Sequence, residues 1–222
     1  MESHRRLPHR YPPNRWLFFT GHLHGSLPHS QSPPPAKVSA GQVFVWIDRY
    51  LDRSQHGPQF LHQEAVVKLV IAALLSGARL GHYRLGPFVV MANHLHVLLF
   101  PLVPPSQLLK SLKGFTARQA NRLLGRTGEP FWQKESYDHG VRSEIEWNRI
   151  AGYIEENPVK AGLVTRAEDY PWSSANGQWR EGVGRVEDGR ENGSESAAPF
   201  PIPAHQTGRA YLRHPAFRLA SS

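Results

Sequence analysis

The stretch YRLGPFVVMANHLHVLLF, residues 83–100, limits the possible folds of this chain more than any other segment. It contains two runs of bulky apolar residues separated by Ala92-Asn93, a pair that suits a tight turn. Two strands joined by so short a turn must pair antiparallel. The second run, His94 to Phe100, places two histidines among residues that are otherwise typical of a buried strand. The sequence therefore predicts an antiparallel sheet that carries two imidazoles.

Further elements are predicted on both sides of this hairpin from the spacing of apolar residues. The predictions are a strand over 15–25 and helices over 41–53, 64–81, 106–125 and from Ser143 onward. Ser143 and Glu146 form a capping-box pattern at the start of the last helix. This order of elements indicates an α+β fold in which helices pack against an antiparallel sheet.

The chain has one region that can form a core and two ends that cannot. With 222 residues, of which 40% are hydrophobic, it is long enough for one domain. Residues 1–14 form a basic arm that contains prolines, and 15–175 are predicted to hold the folded domain, with 26–60 partly a loop insertion. Residues 176–222 mix charge, glycine and serine without periodicity and are predicted to be disordered.

Composition narrows the compartment and the class of partner. The absence of cysteine excludes disulfides and thiolate metal sites and fits a reducing compartment. The longest apolar stretch, 65–75, is too short to span a bilayer, and the N-terminal segment lacks the apolar core of a signal peptide. We therefore expect a cytoplasmic protein with no membrane partner. A formal net charge of +8 favours an anionic partner, nucleic acid first.

The tripeptide His-Leu-His occurs twice in the sequence. Alternate residues of a strand share a face, so His94 and His96 present both imidazoles on one side, and neutral imidazole is the commonest protein metal ligand. His22 and His24 have the same spacing but lie where a strand ends at Gly25, which suits polar residues at the rim of a sheet. For His94 and His96 the spacing alone leaves both metal binding and a structural role open.

The segment RIAGYIEENPVKAGLV, residues 149–164, adds two further residues of chemically useful type. Tyr153 lies off the apolar stripe of its predicted helix, and Asn157 follows about one turn later on the same flank. Tyrosine is a nucleophile, and an asparagine oxygen can bind a hard cation. The alternatives are that Tyr153 is a packing residue and that Asn157 caps a short turn beginning at Pro158.

Several segments, in this order, resemble the REP-associated tyrosine transposases. These belong to the single-tyrosine HUH transposases, named for two histidines around a hydrophobic residue. The resemblance covers residues 15–175 and has one departure, Ala92, where the family commonly has proline, which affects only the turn. The segments are VVMANHLHVLL, SLKGFTARQANRLLGRTGEPFWQKESYDHGVR, RIAGYIEENPVKAGLV and EDYPWSSA, and FFTGHLHGSLP is similar to the first strand of one branch of the family.

The resemblance implies a ferredoxin-like or RRM-like HUH nuclease fold and an enzyme of DNA transposition. Such an enzyme cleaves and transfers single-stranded DNA at hairpin-forming palindromic repeats through a 5′-phosphotyrosine intermediate. By resemblance, Tyr153 is the nucleophile, and His94, His96 and Asn157 hold Mg²⁺ or Mn²⁺. Tyr137 in KESYDH is not the nucleophile by the same comparison, because the family's tyrosine lies in the YI..NP helix.

Basic residues on the predicted 106–125 helix and near Tyr153 are candidates for binding DNA by neutralising phosphates. They are Lys110, Lys113, Arg118, Arg122, Arg142 and Lys160. For each, an ordinary solvated surface position is the alternative. The expected partner is single-stranded or hairpin DNA, bound by a monomer or a homodimer. Two other functions stay open: a nucleic-acid-binding protein that does not cut, and a metal phosphodiesterase that uses activated water.

Overall fold

The computed structural model describes residues 14–27, 40–53 and 57–182, which fold around one four-stranded sheet. The strands are β1 (Leu17–His22), β2 (Tyr83–Val90), β3 (His94–Pro101) and β4 (Tyr137–Gly140). The helices of the described residues are α1 (Ala40–Arg53), α2 (Glu64–Arg79), α3 (Pro105–Leu123), α4 (Glu144–Glu155) and α5 (Asn157–Lys160).

The sheet has the strand order β2-β3-β1-β4, and each neighbouring pair is antiparallel. Helices α1 and α2 connect β1 to β2, and α3 connects β3 to β4, so the order of elements is that of a ferredoxin-like fold. The predicted tight turn joins β2 to β3, where the Met91 amide donates to the His94 carbonyl at 2.8 Å. The α+β prediction with an antiparallel sheet is confirmed.

The alternation of side chains along the strands separates the protein into two layers. On one side of the sheet, Leu95, Val97 and Leu99 pack with α2 and α3 in the larger core. On the other side, Leu98 packs with Phe44 of α1 and Ile154 of α4. His94 and His96 share the side of Leu98, and we call this surface the His face. Helices α1 and α4 therefore cover the two histidines.

Helix α4 begins at the cap that the sequence predicts. Ser143 is the N-cap residue, and its hydroxyl accepts from the Glu146 amide at 3.2 Å. The Glu146 carboxylate reaches one residue further back than in the ideal motif and accepts from the Arg142 amide at 2.7 Å. These bonds fix the first turn of α4, which sets the orientation of the residues at its far end.

Residues 170–174 cover the outer edge of β2. The Val90 amide donates to the Trp172 carbonyl, and the Ser174 amide donates to the Phe88 carbonyl, both at 2.9 Å. The packed structure extends past the predicted boundary at residue 175, because Trp179 packs against the larger core and its indole donates to the Pro171 carbonyl at 2.7 Å. The rest of the predicted tail lies outside the described residues. The same is true of the basic arm, apart from Asn14, and of part of the 26–60 insertion. No helix in the described ranges is long and apolar enough to cross a membrane.

Candidate active site

His94 is fully buried at the start of β3, and its tautomer is set by Asn93. Asn93 Nδ2 donates to the Leu51 carbonyl at 3.0 Å, which fixes the orientation of the amide. Asn93 Oδ1 lies 2.6 Å from His94 Nδ1, and since an amide oxygen only accepts, Nδ1 must be the protonated nitrogen. The lone pair of His94 Nε2 therefore faces the carboxylates of α1.

His96 is also fully buried and lies beside His94, with ring centroids 4.8 Å apart. Its Nδ1 is 2.7 Å from the hydroxyl of Thr20, the residue paired with it on β1. A hydroxyl can accept from Nδ1–H, which leaves Nε2 with a free lone pair. Both imidazoles are thus held through Nδ1 by a neighbouring oxygen, and both turn Nε2 towards α1, which is the usual arrangement of a histidine that binds a metal.

Helix α1 places two carboxylates against the imidazoles. Asp48 and Asp52 are one helical turn apart and lie on the same side of α1. Asp48 Oδ1 is 2.8 Å from His96 Nε2 and 3.9 Å from His94 Nε2, and Asp52 Oδ1 is 3.5 Å from His94 Nε2. Donor atoms of Asp48, His94 and His96 all lie within 4.8 Å of one another, close enough for one metal ion to contact all three.

Tyr153 lies near the end of α4 with its ring beside His96, the centroids being 5.7 Å apart. Phe18 and Phe44 border the same ring at 6.3 and 6.0 Å. The Tyr153 hydroxyl is buried and finds no hydrogen-bond partner within the part of the chain that the structure describes. A buried hydroxyl without a partner costs about 1–3 kcal/mol, so the fold keeps this oxygen unpaired at the expense of stability.

Asn157 opens α5, which continues directly from α4, and only 1% of its surface is exposed. The alternative that Asn157 caps a turn beginning at Pro158 is wrong, because Glu156 holds the N-cap position and Asn157 is itself helical. Neither amide atom of Asn157 makes a hydrogen bond of ordinary geometry to any described residue. A buried amide in this state suits an ion ligand.

Lys160 brings a cation to the same place. Its ammonium nitrogen lies 4.8 Å from the centroid of the Tyr153 ring, while the side chain is exposed to solvent. It lines a cleft of about 830 Å³ between α1, the β2–β3 turn and α5, together with Asp48, Asp52, His94, Tyr153 and Asn157. Most of the buried side-chain polar atoms that lack a partner among the described residues belong to this group and His96.

Burial and neighbouring charges set the protonation of the cleft. Burial lowers the pKa of His94 to about 3, and His96 adds to the fall, so the His94 imidazole is neutral at pH 7. Burial raises the pKa of Asp52 to about 7, and the adjacent Asp48 carboxylate adds to the rise. Burial acts to raise the pKa of Asp48 as well, but the imidazoles and Lys160 outweigh it and the pKa is lowered. The cleft thus combines a neutral imidazole with a charged carboxylate.

The first His-Leu-His tripeptide has different neighbours. His22 pairs with His94 across the sheet, and its pKa is lowered to about 4, first by burial and then by the charge of Lys113. The His22 carbonyl accepts from the Gln133 amide at 2.8 Å, and His24 Nδ1 lies 3.1 Å from Gln133 Oε1. Both residues are thus tied to the segment around Gln133, with His22 buried in the sheet and His24 exposed beyond the end of β1.

Tyr137 lies on β4, with its ring stacked on Phe44 at a centroid distance of 4.4 Å. The ring also meets Phe18 edge-on at 6.0 Å. Tyr137 therefore packs against the smaller core on the His face, which agrees with a structural role for this residue.

The candidate DNA-binding cations fall on opposite sides of the sheet. Lys110, Arg118 and Arg122 are exposed on α3, which packs on the side away from the His face. Arg142 is exposed just before α4, and Lys160 lies beyond the other end of α4. The structure therefore brings Lys160 to the histidines and separates the α3 cations from them.

Lys113 differs from the other candidate cations because its ammonium is already engaged. It donates to the carbonyls of Gln133 and Lys134 at 2.7 and 3.1 Å. Burial lowers the pKa of Lys113, while the charge of Glu135 acts in the opposite direction. Through these contacts Lys113 holds residues 133–134, which follow α3, in place.

Comparisons with known proteins agree with this geometry at the level of the fold. No protein-family model matches the chain, and no curated protein matches it. A solved structure, that of the REP-associated tyrosine transposase bound to a REP hairpin, is similar over 91% of this chain and 100% of that chain, with a TM-score of 0.52 and 20% sequence identity. This chain has the fold of that transposase. The fold that the sequence resemblance implied is therefore confirmed.

Sequence reasoning missed the two carboxylates of α1 and the supporting role of Asn93. A signal for Asp48 was available, since it follows Phe44 by one turn and precedes Leu51 by three residues, on the apolar stripe of the helix. A carboxylate on a buried stripe requires a partner. Asn93 was assigned only to a turn, and nothing in its sequence position indicates the bond to Leu51.

Proposed function

We propose that this chain is a REP-associated tyrosine transposase, a single-stranded DNA endonuclease and strand transferase that acts through a 5′-phosphotyrosine. The observation that supports this most directly is the placement of Tyr153 next to His96, at a centroid distance of 5.7 Å, in a cleft that also holds Asn157. The sequence resemblance and the likeness to a hairpin-bound transposase point in the same direction.

His94 Nε2, His96 Nε2 and the Asn157 amide oxygen would hold a divalent ion, Mg²⁺ or Mn²⁺. All three atoms are buried and lack hydrogen-bond partners among the residues that the structure describes, which is the state expected of ligand atoms. A bound ion would polarise the scissile phosphate and help to orient it. Asn93 and Thr20 would hold the two imidazoles in the required tautomer and orientation.

Tyr153 would be the nucleophile. Its phenol oxygen attacks the phosphorus and loses its proton, while the bond from phosphorus to the 3′ oxygen breaks and that oxygen leaves as a 3′-hydroxyl. The 5′-phosphotyrosine preserves one phosphoester bond, so the 3′-hydroxyl of a second strand can reverse the step and rejoin DNA without ATP. The positive charge of Lys160 beside the Tyr153 ring favours the phenolate that develops as the proton leaves.

Single-stranded or hairpin DNA would be the partner, bound by a monomer or a homodimer. Lys160 and Arg142 lie on the layer that carries Tyr153 and would neutralise phosphates of the cleaved strand. Lys110, Arg118 and Arg122 lie on the other layer and would contact DNA only where it extends around the protein. Lys113 would act through the position of residues 133–134 and not through a phosphate.

The experiment is an adduct assay with the full chain, an end-labelled single-stranded hairpin oligonucleotide and Mn²⁺, resolved on a denaturing gel. The wild type is expected to give a DNA–protein band that Tyr153→Phe abolishes. Tyr137→Phe is the matched control and should keep the band, because Tyr137 packs against Phe44. Cleaved DNA without an adduct, retained in Tyr153→Phe, would identify a hydrolytic phosphodiesterase. Binding on a native gel without cleavage would identify a non-catalytic binding protein.

A further inference from the structure

Asp48 adds a further candidate metal ligand to His94, His96 and Asn157. Asp48 lies on α1, is 4% exposed and places Oδ1 at 2.8 Å from His96 Nε2 and 3.9 Å from His94 Nε2. Leu51 and Phe44, both buried, anchor α1 on the His face on either side of Asp48. The carboxylate is therefore held in place by packing and not by a flexible side chain alone.

The contact between Asp48 and His96 is short, but it lacks the ordinary geometry of a hydrogen bond. Asp48 Oδ1 and His96 Nε2 both remain without a hydrogen-bond partner among the described residues, despite their separation of 2.8 Å. His94 Nε2 is fully buried, equally unpartnered within the same ranges, and directed at the same oxygen. Three unpaired donor atoms that face one another are typical of ligands around a cation.

We propose that Asp48 is a direct ligand of the metal ion, in addition to the two imidazoles and the Asn157 amide oxygen. This inference rests on the proposed function and deepens it, because it assigns the anionic ligand of that site to a helix outside the sheet. The negative charge would let the ion bind before DNA arrives. Two imidazoles with one carboxylate favour a divalent transition ion, so we expect Mn²⁺ to bind more tightly than Mg²⁺.

Asp52 provides the matched control for this assignment. It lies one turn beyond Asp48 on the same helix, and its Oδ1 approaches His94 Nε2 at 3.5 Å. It is not within the group of mutually close donor atoms formed by Asp48, His94 and His96. At pH 8, above the pKa of Asp52, asparagine at either position removes one negative charge with little change in shape, so the two variants separate ligation from the general effect of a nearby charge.

The test is calorimetric titration of Mn²⁺ into the metal-free full chain without DNA. Asp48→Asn should weaken Mn²⁺ binding by at least about tenfold, and Asp52→Asn by less than about threefold. Equal weakening by the two variants, or an unchanged affinity in Asp48→Asn, would overturn the proposal. Circular dichroism checks that each variant is folded, and Asp48→Ala, which lacks any donor, should bind at least as weakly as Asp48→Asn.

The same titration separates this inference from the proposed function. If Asp48→Asn loses Mn²⁺ affinity and the wild type forms no tyrosine adduct, Asp48 is a ligand but the chain is not a transposase. If the wild type forms the adduct and Asp48→Asn binds Mn²⁺ normally, the proposed function stands and Asp48 is not a ligand. A tenfold excess of Mg²⁺ over Mn²⁺ should leave most Mn²⁺ bound, and complete displacement would contradict the predicted ion preference.

Discussion

Asn93→Ala should weaken both metal binding and folding, because Asn93 holds α1 and His94 in a single arrangement. The side chain is 3% exposed and makes two hydrogen bonds, one from Nδ2 to the Leu51 carbonyl and one between Oδ1 and His94 Nδ1. Leu51 lies in the last turn of α1, where carbonyls have no partner within the helix. Alanine would remove both partners at once.

The size of the effect follows from these two bonds. Leaving a buried donor or acceptor unpaired costs about 1–3 kcal/mol, so the loss of both should lower the free energy of unfolding by about 2–6 kcal/mol. His94 would also lose the bond that fixes its tautomer, and loss of such outer-shell partners typically weakens metal binding by about 10–100-fold. Urea unfolding followed by circular dichroism measures the first quantity, and calorimetric titration of Mn²⁺ measures the second.

Asn93→Asp separates the two bonds. A carboxylate still accepts from His94 Nδ1 but cannot donate to the Leu51 carbonyl, so this variant should be destabilised and yet keep Mn²⁺ affinity close to that of the wild type. If Asn93→Ala has the unfolding free energy and the Mn²⁺ affinity of the wild type, then neither bond matters and the account of His94 given above is refuted.

Two further predictions concern α4 and acid stability. Gly152→Ala should raise the unfolding free energy by about 1 kcal/mol, since the new methyl group meets no described atom and alanine favours the helix. If helix flexibility at Gly152 lets Tyr153 move between cleavage and rejoining, strand transfer by this variant should fall while its Mn²⁺ affinity is unchanged. Normal strand transfer would count against that role. The metal-free protein should lose about 1 kcal/mol of stability per pH unit as the pH falls from about 6 to about 4.5. In this range His22 and His94, with pKa values of about 4 and about 3, stay largely neutral in the folded state, whereas each binds a proton in the unfolded state. Asp52, with a pKa of about 7, is protonated in the folded state and ionised in the unfolded state, so it offsets one of those two protons. Urea titrations at several pH values in the presence of a chelator would measure this slope, and a flat profile would contradict it.

The β2–β3 hairpin was predictable because its signals are local, whereas β4 was not predicted from the sequence. The run on each side of Ala92-Asn93 is apolar and short, so the pairing of the two strands follows from the sequence. Because side chains alternate along a strand, His94 and His96 must share one face. The start of α4 was predictable for the same reason, since Ser143 and Glu146 are three residues apart and bond directly. Which helix layer covers each face is decided by long-range packing, which the spacing of apolar residues does not encode.

The roles of the α1 carboxylates could not be predicted from the local sequence pattern. The 41–53 segment was correctly predicted as a helix, but its predicted apolar stripe omitted Asp48, since an aspartate is normally assigned to solvent. In the structure Asp48 lies between Phe44 and Leu51 on the buried side, and its partners come from β3, far away in the sequence. A charged residue on an apolar stripe is thus a detectable signal of a buried site, although it does not identify the partner.

The two His-Leu-His tripeptides make the same point about function. His22 and His94 are paired across the sheet, and both are buried with a lowered pKa, whereas His24 is exposed beyond the end of β1. The two tripeptides differ in what other elements bring to them: Gln133 and the charge of Lys113 reach the first pair, whereas α1 carboxylates and Tyr153 reach the second. A cation near an imidazole opposes metal binding, and a carboxylate favours it. The chemistry of each pair is therefore set by the surrounding helices and loops. Moving Asp48 to a different face of α1 should leave the fold intact while removing a carboxylate that distinguishes His94 and His96 from His22 and His24.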